Sequence, residues 1–303
     1  MTEVMLAPMA GVTDKPFRQM VRLFGNHKTY TEMIGVESLA RNHPMTRKMM
    51  DIHDEKNVVV QLVGVNQKAM VYAAKMAQDM GAVGIDINMG CPVKKLISNG
   101  SGAALLKTPK IAADLVEQVK KSVDIPVSVK MRIGWDSEHI NAVDFMKQLE
   151  SAGVDSIAVH ARTKAEGYSG LPHFDVVAEM KRQSRLPIIA NGNVIDKTSA
   201  EAALAVTQAD GIMIGRGALG KPWSLSEIET GILKPIDLEQ MASQHFDLLL
   251  NYYGTHGVFI ARKHLAWYAK GQKNVAEFCQ KVYAETDCLK IRKIIHDFLR
   301  GKQ

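Results

Sequence analysis

The regular alternation of two residue patterns, from the N-terminus to about residue 220, constrains the fold of this chain more than any other feature. Short runs of apolar and β-branched residues, typical of buried strands, alternate with longer amphipathic stretches, typical of helices. The strands are predicted at residues 4–7, 28–31, 58–63, 84–88, 126–133, 156–160, 187–190 and 211–214. Eight such units predict an α/β fold, a (β/α)8 TIM barrel, rather than an open doubly wound sheet. No Gly-rich dinucleotide fingerprint follows the first strand, which also argues against the open sheet.

The pattern changes after Gly220, where Lys221-Pro222-Trp223 and then Lys234-Pro235 indicate a linker. From residue 238 onward only helical patterns follow, at 238–253, 256–269, 275–283 and 289–299. We therefore predict a catalytic TIM-barrel domain over residues 1–233 and a small C-terminal all-helical domain over residues 238–303. The second region holds ten Lys/Arg and six Asp/Glu, so it carries +4 of the net charge of +6. A basic helical region is compatible with a polyanionic partner.

Composition excludes several classes of protein. Hydrophobic residues make up 46% and charged residues 23% of the chain, as in ordinary globular proteins. No apolar run approaches the roughly 18 residues of a membrane span, and the first residues lack the pattern of a signal peptide, so we expect a cytoplasmic protein without membrane contact. The three cysteines, Cys91, Cys279 and Cys288, are too few and too scattered for a disulfide framework or a zinc site. We expect no metal, and we assign Cys279 and Cys288 to the core.

Polar or glycine-containing segments follow nearly all of the predicted strands. Active sites of TIM barrels gather at the C-terminal ends of the strands, so these segments predict a pocket at one rim. In chain order they are Pro8-Met9-Ala10, Glu32, Gln61, Asn88 with Cys91, Lys130 with Arg132, His160 with Arg162, Asn191-Gly192-Asn193, and Gly215-Arg216.

One of these segments, the turn Met89-Gly90-Cys91-Pro92, places a thiol at a strand end. Pro92 favours an extended conformation for Cys91, and Gly90 permits a close backbone approach that a side chain would obstruct. The turn therefore predicts a reactive thiol, although a lone cysteine is commonly a buried structural residue.

The last two strand ends predict a phosphate site. The segments 191–193 and 215–217 offer backbone N–H groups at low steric cost, and Arg216 adds a bidentate cation. Lys130 stands in an otherwise apolar strand, where an unpaired ammonium is costly to bury. Its partner is either a structural salt bridge or an electron-rich, phosphate-bearing cofactor. His160 and Gln61 end their strands at the same rim.

Several motifs together resemble the tRNA-dihydrouridine synthase family, in particular its bacterial B-type branch. The final two match that family's helical RNA-binding domain, so the resemblance covers nearly the entire chain. The motifs are LAPMAGVTDKPFR (6–18), QLVG (61–64), DINMGCPVKK (86–95), VKMRIGW (129–135), VHARTK (159–164), IANGNV (189–194), IGRGALGKPW (214–223), RKHLAWYAKG (262–271) and IRKIIHDFL (291–299).

The resemblance implies an enzyme that holds FMN at the barrel mouth, reduces it with NADPH and converts uridines of tRNA to 5,6-dihydrouridine. The flavin passes a hydride to carbon 6 of the uracil, and a cysteine, matched here by Cys91, protonates carbon 5. A thiol suits that step because its pKa lies not far above the working pH. The residues that match the family's flavin shell are Pro8, Met9, Ala10, Gln61, Lys130, His160, Asn191, Gly192, Asn193, Gly215 and Arg216.

We expect tRNA to contact both parts of the chain, because a uridine stacked in folded RNA must be extracted to reach a barrel mouth. Asn88 is expected to orient the base, Arg132 and Arg162 to bind a phosphate or the uracil oxygens, and Lys94 and Lys95, with residues 99–102, to form a mobile cover. In the tail the expected phosphate contacts are Arg262, Lys263, Lys270, Lys290, Arg292, Lys293 and Arg300. We expect the protein to be a monomer.

Three other functions remain open on the sequence. A flavin barrel that acts on a free small molecule, similar to dihydroorotate, would use the rim cysteine as a base, but the basic tail argues against it. A catalytically silent RNA-binding protein is a second possibility, and Cys91 together with the flavin residues argues against that. The third is a flavin-free lyase that uses Lys130 as a Schiff base, which a colourless purified protein would favour.

Overall fold

A computed structural model describes residues 2–232 and 235–300. The predicted linker residue Lys234 and the predicted domain ends at residues 1, 233 and 303 lie outside the described residues. Within them the strands are β1 (Glu3–Leu6), β2 (Thr29–Tyr30), β3 (Ile34–Gly35), β4 (Val58–Val63), β5 (Gly84–Met89), β6 (Val127–Arg132), β7 (Ser156–His160), β8 (Ile188–Asn191) and β9 (Gly211–Ile214).

The strands form one parallel barrel in the order β1-β9-β8-β7-β6-β5-β4-β2. The barrel closes between β1 and β2 through a single bridge from Met5 to Lys28, where the amide of Leu6 donates to the carbonyl of Lys28 at 3.0 Å. The predicted TIM barrel and its eight strands are confirmed. The two-residue strand β3, which pairs with the end of β4, was not predicted because two residues show no periodicity.

Helices follow the strands as the amphipathic pattern predicted. They are α1 (Lys15–Arg22), α2 (Val36–Ala40), α3 (Pro44–Met49), α4 (Gln67–Asp79), α5 (Lys94–Ser98), α6 (Pro109–Lys120), α7 (Ala142–Ser151), α8 (Phe174–Gln183), α9 (Lys197–Thr207), α10 (Ser224–Thr230), α11 (Leu238–Tyr253), α12 (Gly257–Tyr268), α13 (Val275–Ala284) and α14 (Cys288–Leu299). Side-chain caps fix several of their starts: Asn66 accepts from the amide of Ala69, and Asp196 from that of Ser199. Short 3-10 turns occupy Gly102–Lys107, Arg216–Ala218 and Gly254–His256.

Three apolar clusters account for the packing. The first lies around the barrel, between the strands and the helices that surround it, and a small third cluster includes Met5, Tyr30 and Met213 of the strands. The second lies among α11 to α14 and includes Trp223, Phe246 and Phe278. Trp267 of α12 packs against the first core, so the helical region rests directly on the barrel. No helix in the described part of the chain is long and apolar enough to cross a membrane.

Candidate active site

Two adjoining cavities, of about 440 and 560 Å³, open at the C-terminal rim of the barrel. The first is bordered by the segments after β1 and β5 and by Gln61 within β4, and the second by the segments after β8 and β9. Both volumes lie in the range of sites for small molecules and cofactors. Their shared wall is formed by Pro8, Met9, Lys130, His160, Tyr168, Arg216 and Leu219.

The Cys91 turn, residues 89–92, brings the thiol to the wall of the first cavity. The side-chain oxygen of Asn88 accepts from the amides of Gly90, at 3.2 Å, and Cys91, at 2.9 Å. The carbonyl of Cys91 accepts from the amide of Ala103 at 3.0 Å. A Cβ on Gly102, whose φ is +61°, would lie only 2.7 Å from that carbonyl oxygen. The turn is therefore fixed from both sides.

Burial raises the pKa of the Cys91 thiol, although the amide of Val93 and the charge of Arg132 oppose the shift. The thiol consequently keeps its proton at neutral pH. A protonated sulfur at a cavity wall is suited to donate a proton rather than to attack as a thiolate.

A hydrogen-bonded layer lies in the barrel beneath the cavity. Gln61 donates to a carboxylate oxygen of Asp86 at 2.7 Å and accepts from the amide nitrogen of Asn88 at 2.9 Å. Ser128 donates to the other oxygen of Asp86 at 2.7 Å. Burial raises the pKa of Asp86 to about 6, against the hydrogen bonds from Gln61 and Ser128. Asp86, which no sequence pattern marked as a site residue, orients Gln61 directly and Asn88 through Gln61.

Lys130 is the cation between the two cavities. Its ammonium donates to Oδ1 of Asn191 at 3.0 Å, and the amide nitrogen of Asn191 donates to the carbonyl of Met213 at 2.7 Å. Burial, aided by the charge of Arg132, lowers the pKa of Lys130 to about 8. In the described part of the chain Lys130 forms no salt bridge, so the structural ion pair considered as its alternative is absent there.

His160 lines both cavities in its neutral form. Burial is the main cause that lowers its pKa to about 2, and the charges of Lys130, Arg132, Arg162 and Arg216 add to it. A neutral imidazole at this position contributes hydrogen-bonding atoms without adding a further cation to the site.

Arg132 holds loops together at the rim. Its guanidinium donates to the carbonyls of Gly90, at 2.9 Å, and of Thr163 and Gly167, both at 2.8 Å. We expected Arg132 to bind substrate, and it does line the first cavity, but these bonds occupy two of its three nitrogens. Most of its hydrogen-bonding capacity therefore positions the Cys91 turn and the loop after β7.

Arg162 differs further from its expected role. It is fully buried, donates to the carbonyls of Ser169, at 2.8 Å, and Gly170, at 2.6 Å, and lines neither cavity. Its placement does not support a direct contact with phosphate or uracil. The hydrogen-bond acceptors that we expected a ligand to provide are instead backbone carbonyls of the loop after β7.

Tyr168 stands on the loop that these two arginines hold. Its ring lies 5.7 Å from the guanidinium of Arg132 and 4.8 Å from that of Arg216, and it lines both cavities. Tyr168 was not predicted because it lies in a loop without periodicity. The one sequence feature that could have marked it as a site residue is its position between Gly167 and Gly170.

The predicted phosphate segments lie side by side along the second cavity, lined by Asn191, Gly192, Asn193, Gly215 and Arg216. A side-chain nitrogen of Arg216 lies 3.4 Å from Oδ1 of Asn193. Trp267 and Lys270 of the helical region reach the same cavity. Lys270 was expected among the RNA contacts of the tail, and the structure places it beside the predicted phosphate site.

The other residues predicted to bind substrate lie away from the two cavities. Lys94 and Lys95 are exposed on α5, so the expected cover is a short helix. Lys263 reaches the loop after β1, with its ammonium 3.4 Å from where a Cβ on Gly11 would stand. Lys293 is exposed on α14.

Two of the tail arginines have partners within the helical region. Arg262 donates to the carbonyl of Glu285 at 3.2 Å, and Arg292 pairs with Asp247. Of the residues expected to hold phosphates, Lys270, Lys290, Lys293 and Arg300 are exposed. Lys290 lies 3.8 Å from a carboxylate oxygen of Glu285. No group of acidic, histidine or cysteine side chains that could hold a metal ion occurs within residues 2–232 and 235–300.

Comparisons with known proteins agree with this architecture. A family model described as dihydrouridine synthase (Dus) matches residues 5–294. A protein of Rickettsia conorii named probable tRNA-dihydrouridine synthase is 41% identical over 98% of this chain and 93% of its own. One of Pseudomonas syringae pv. tomato, named tRNA-dihydrouridine synthase B, is 36% identical over the same shares.

Among solved structures, histamine dehydrogenase from Rhizobium sp. 4-9 matches 81% of this chain with a TM-score of 0.57 at 15% identity. The chain spans about half of that protein (49%), and at this identity the likeness concerns the fold alone. The family match covers both the barrel and most of the helical region, and the chain belongs to the dihydrouridine synthase family.

Proposed function

We propose that this protein is a cytoplasmic tRNA-dihydrouridine synthase that binds FMN, takes electrons from NADPH and reduces uridines of tRNA to 5,6-dihydrouridine. One observation supports the proposal above all others: Cys91 and all eleven residues of the predicted flavin shell line two cavities with a shared wall. The names of the curated relatives point to the same substrate and product.

The second cavity fits the phosphate end of a flavin mononucleotide. Two glycine-containing segments, 191–193 and 215–217, bring backbone groups to it, and Arg216 and Lys270 add cations. Pro8, Met9 and Ala10 form an apolar edge along the first cavity, beside which a flat ring can lie. When bound, the flavin supplies the hydride that carbon 6 of the uracil receives.

Lys130 places a positive charge between the phosphate end and the thiol. Its hydrogen bond to Asn191 fixes the ammonium, and burial makes its charge more effective than in water. In the proposed mechanism this charge stabilises the electron-rich reduced ring, while neutral His160 contributes hydrogen bonds at the same wall.

Cys91 donates the proton that carbon 5 requires. The raised pKa of the thiol keeps the proton available, and the Asn88 side chain and the 102–103 backbone hold the turn in place. Asn88 retains one amide N–H beyond its bond to Gln61, and this N–H is available to an oxygen of the uracil. Tyr168 and Arg132 offer further contacts above the base.

The helical region of residues 238–303 is proposed to bind tRNA and to present the extracted uridine to the barrel. Exposed Lys293, on α14, gives this region a cation for phosphates. The core of α11 to α14 supports the proposed domain boundary between residues 233 and 238, and Trp223 joins that core from the barrel side.

The decisive experiment measures dihydrouridine by mass spectrometry in tRNA from cells with and without the gene. Loss of dihydrouridine at one or more positions, restored by the wild-type gene and not by a Cys91→Ala copy, is the expected result. A companion assay supplies purified protein with that tRNA and NADPH. Unchanged modification in the deleted cells together with an inactive, colourless purified protein would overturn the proposal.

A further inference from the structure

A third cavity lies outside the proposed flavin and uracil sites. It measures about 530 Å³ and is lined by Leu106, Lys107, Pro109, Trp135, Asp136, His139 and Asn141. We call it the Trp135 pocket. Its residues follow strands β5 and β6, so it opens at the same barrel rim as the catalytic cavities.

Two lysine ammonium groups lie against the ring of Trp135. The Nζ atoms of Lys107 and Lys164 are 3.7 and 4.3 Å from the ring centroid, so they are at most about 8 Å apart. Within residues 2–232 and 235–300, neither lysine forms an ion pair. Two like charges this close repel each other, and an anion between them would relieve the repulsion.

Backbone bonds fix the two loops that carry this pocket. The amide of Lys164 donates to the carbonyl of Gly134, and that of Ala165 to the carbonyl of Trp135, both at 2.9 Å. A Cβ on Gly134 would lie 2.2 Å from the carbonyl oxygen of His139, so the loop after β6 folds tightly on itself. These bonds therefore fix the position of Trp135 relative to the backbone of Lys164 before any ligand binds.

Asp136 is the one carboxylate in the lining of the pocket, so the two ammonium groups at the Trp135 ring outnumber it. Asp136 is engaged by His139, with 2.6 Å between the carboxylate oxygen and Nδ1. Asn141 donates from its amide nitrogen to the carbonyl of Leu106 at 2.8 Å, but its buried Oδ1 has no hydrogen-bond donor among the residues that the structure describes. An N–H group entering beside Asn141 would satisfy that oxygen.

An aromatic ring flanked by cations, with an unsatisfied acceptor beside it, matches how proteins bind an unpaired nucleotide. Phosphates take the ammonium groups, a base stacks on the ring, and base N–H groups seek acceptors. We propose that the Trp135 pocket binds a nucleotide of the RNA substrate other than the uridine that is reduced. Lys107 and Lys164, whose side chains are flexible, turn from the ring to hold its phosphates, and Trp135 carries its base on the ring face that they leave. The proposal rests on the proposed function, since it assigns a second contact to the same RNA.

The test uses the full-length protein and unmodified tRNA from cells that lack the gene. We expect Trp135→Ala to weaken tRNA binding about 10-fold and Trp135→Phe, which keeps a stacking ring, to weaken it less. Lys107→Gln with Lys164→Gln should weaken binding and lower the slope of log affinity against log salt by about 1 to 2. The matched control is Lys121→Gln with Lys147→Gln, two exposed lysines, of which the first directly follows α6 and the second lies in the later half of α7.

A second measurement separates binding from a structural role. A base stacked on Trp135 should quench part of the tryptophan fluorescence when tRNA is added, and Trp135→Phe should lose that part while Trp223 and Trp267 keep theirs. Thermal stability and bound flavin should match the wild type in all variants.

The outcomes distinguish this proposal from the proposed function. If the wild type reduces tRNA, but the Trp135 and lysine variants bind and react as it does, the pocket is not an RNA site and the function stands. Equal salt slopes in the lysine pair and its control would overturn the proposal in the same way. If the wild type neither binds nor reduces tRNA, both proposals fail.

Discussion

Lys130 on β6 and Asn191 on β8 are joined by a 3.0 Å hydrogen bond that passes over β7, the strand between them. The bond joins Lys130, the cation between the two cavities, to Asn191, the first residue of the segment that lines the second cavity. The proposed ring and phosphate sites of the flavin are therefore set relative to each other by the protein before a cofactor binds.

Replacing Lys130 by Met should slow flavin reduction by NADPH about 100-fold, because a fixed charge beside the reduced ring is lost. The folded pKa of Lys130 is about 8, so its charge is present below that pH and disappears as the pH rises through it. Wild-type reduction rates should accordingly fall above pH 8, and those of the variant should not respond there. Stopped-flow absorbance over a pH series measures both, and a variant with the wild-type profile would assign the response to another group.

Cys91→Ala should leave flavin binding and flavin reduction intact and lower dihydrouridine formation at least about 100-fold, the usual contribution of a general acid. Single-turnover assays with reduced protein and tRNA isolate the step. Undiminished product formation would remove Cys91 from the role of proton donor.

Gly102→Ala should destabilise the protein and slow dihydrouridine formation, because a Cβ would lie 2.7 Å from the carbonyl oxygen of Cys91. The matched control is Gly100→Ala, where φ is similarly positive, at +76°, but nothing lies within 4 Å of the new Cβ. In both variants the positive φ should lower the free energy of unfolding by about 1 kcal/mol. The additional loss in Gly102→Ala, measured by chemical denaturation and by turnover, reports the displacement of the Cys91 turn; equal effects would contradict it.

His245 and His264 should make the protein sensitive to mild acid. Their ring centroids are 4.4 Å apart, and burial lowers the pKa of His245 to about 3 and that of His264 well below its usual value. Since both pKa values are depressed on folding, the stability that neutral histidines provide is complete above pH 6.5 and is lost as the pH falls towards 3. At pH 5 the loss is about 2 kcal/mol for His245, and His264 adds to it in the same direction.

The raised pKa values of Asp14 and Asp86, each about 6, act in the opposite direction over the same range. The contribution of the histidines is therefore measured as a difference between variants. Urea denaturation from pH 8 to pH 5 should show a smaller loss of stability in His264→Phe than in the wild type. His53→Gln, at an exposed site, should behave as the wild type. Parallel curves for His264→Phe and the wild type would exclude the buried pair as the cause.

Lys270→Gln should raise the dissociation constant for FMN about threefold, because an exposed cation contributes modestly to phosphate binding. Lys273→Gln, three residues further along and also exposed, should leave it unchanged. Flavin titration followed by fluorescence measures both. Identical constants in the two variants would place Lys270 outside the phosphate site.

The elements that local pattern determines could be predicted from the sequence. The bounds of α11 agree with prediction residue for residue, since an apolar stripe and a side-chain cap at Asp237 mark the helix. The position of Cys91, Lys130 and His160 at the rim could be predicted from the barrel, because the C-terminal ends of all its strands lie on the same side.

What tertiary contacts determine could not be predicted. Arg132 and Arg162 have the residue type and strand position of ligand-binding groups, yet their partners are carbonyls of a loop whose path no local pattern encodes. The same loop carries Tyr168 into the site. Asp86 looked like one polar residue in an apolar strand, and its role depends on Gln61 and Ser128, which come from different strands.

Because only a single bridge, between Met5 and Lys28, joins β1 to β2, we expect the barrel to open first between these two strands. Strands β5, β6 and β7 pair along five positions each, whereas β2 contributes only two residues to the wall. Amide hydrogens beside this seam should exchange with solvent first, and those of β6 last. Because Pro8 to Ala10 follow β1 directly, the seam adjoins the apolar edge of the proposed flavin site. We therefore expect flavin binding to slow hydrogen exchange at this strand pair, which is held together least.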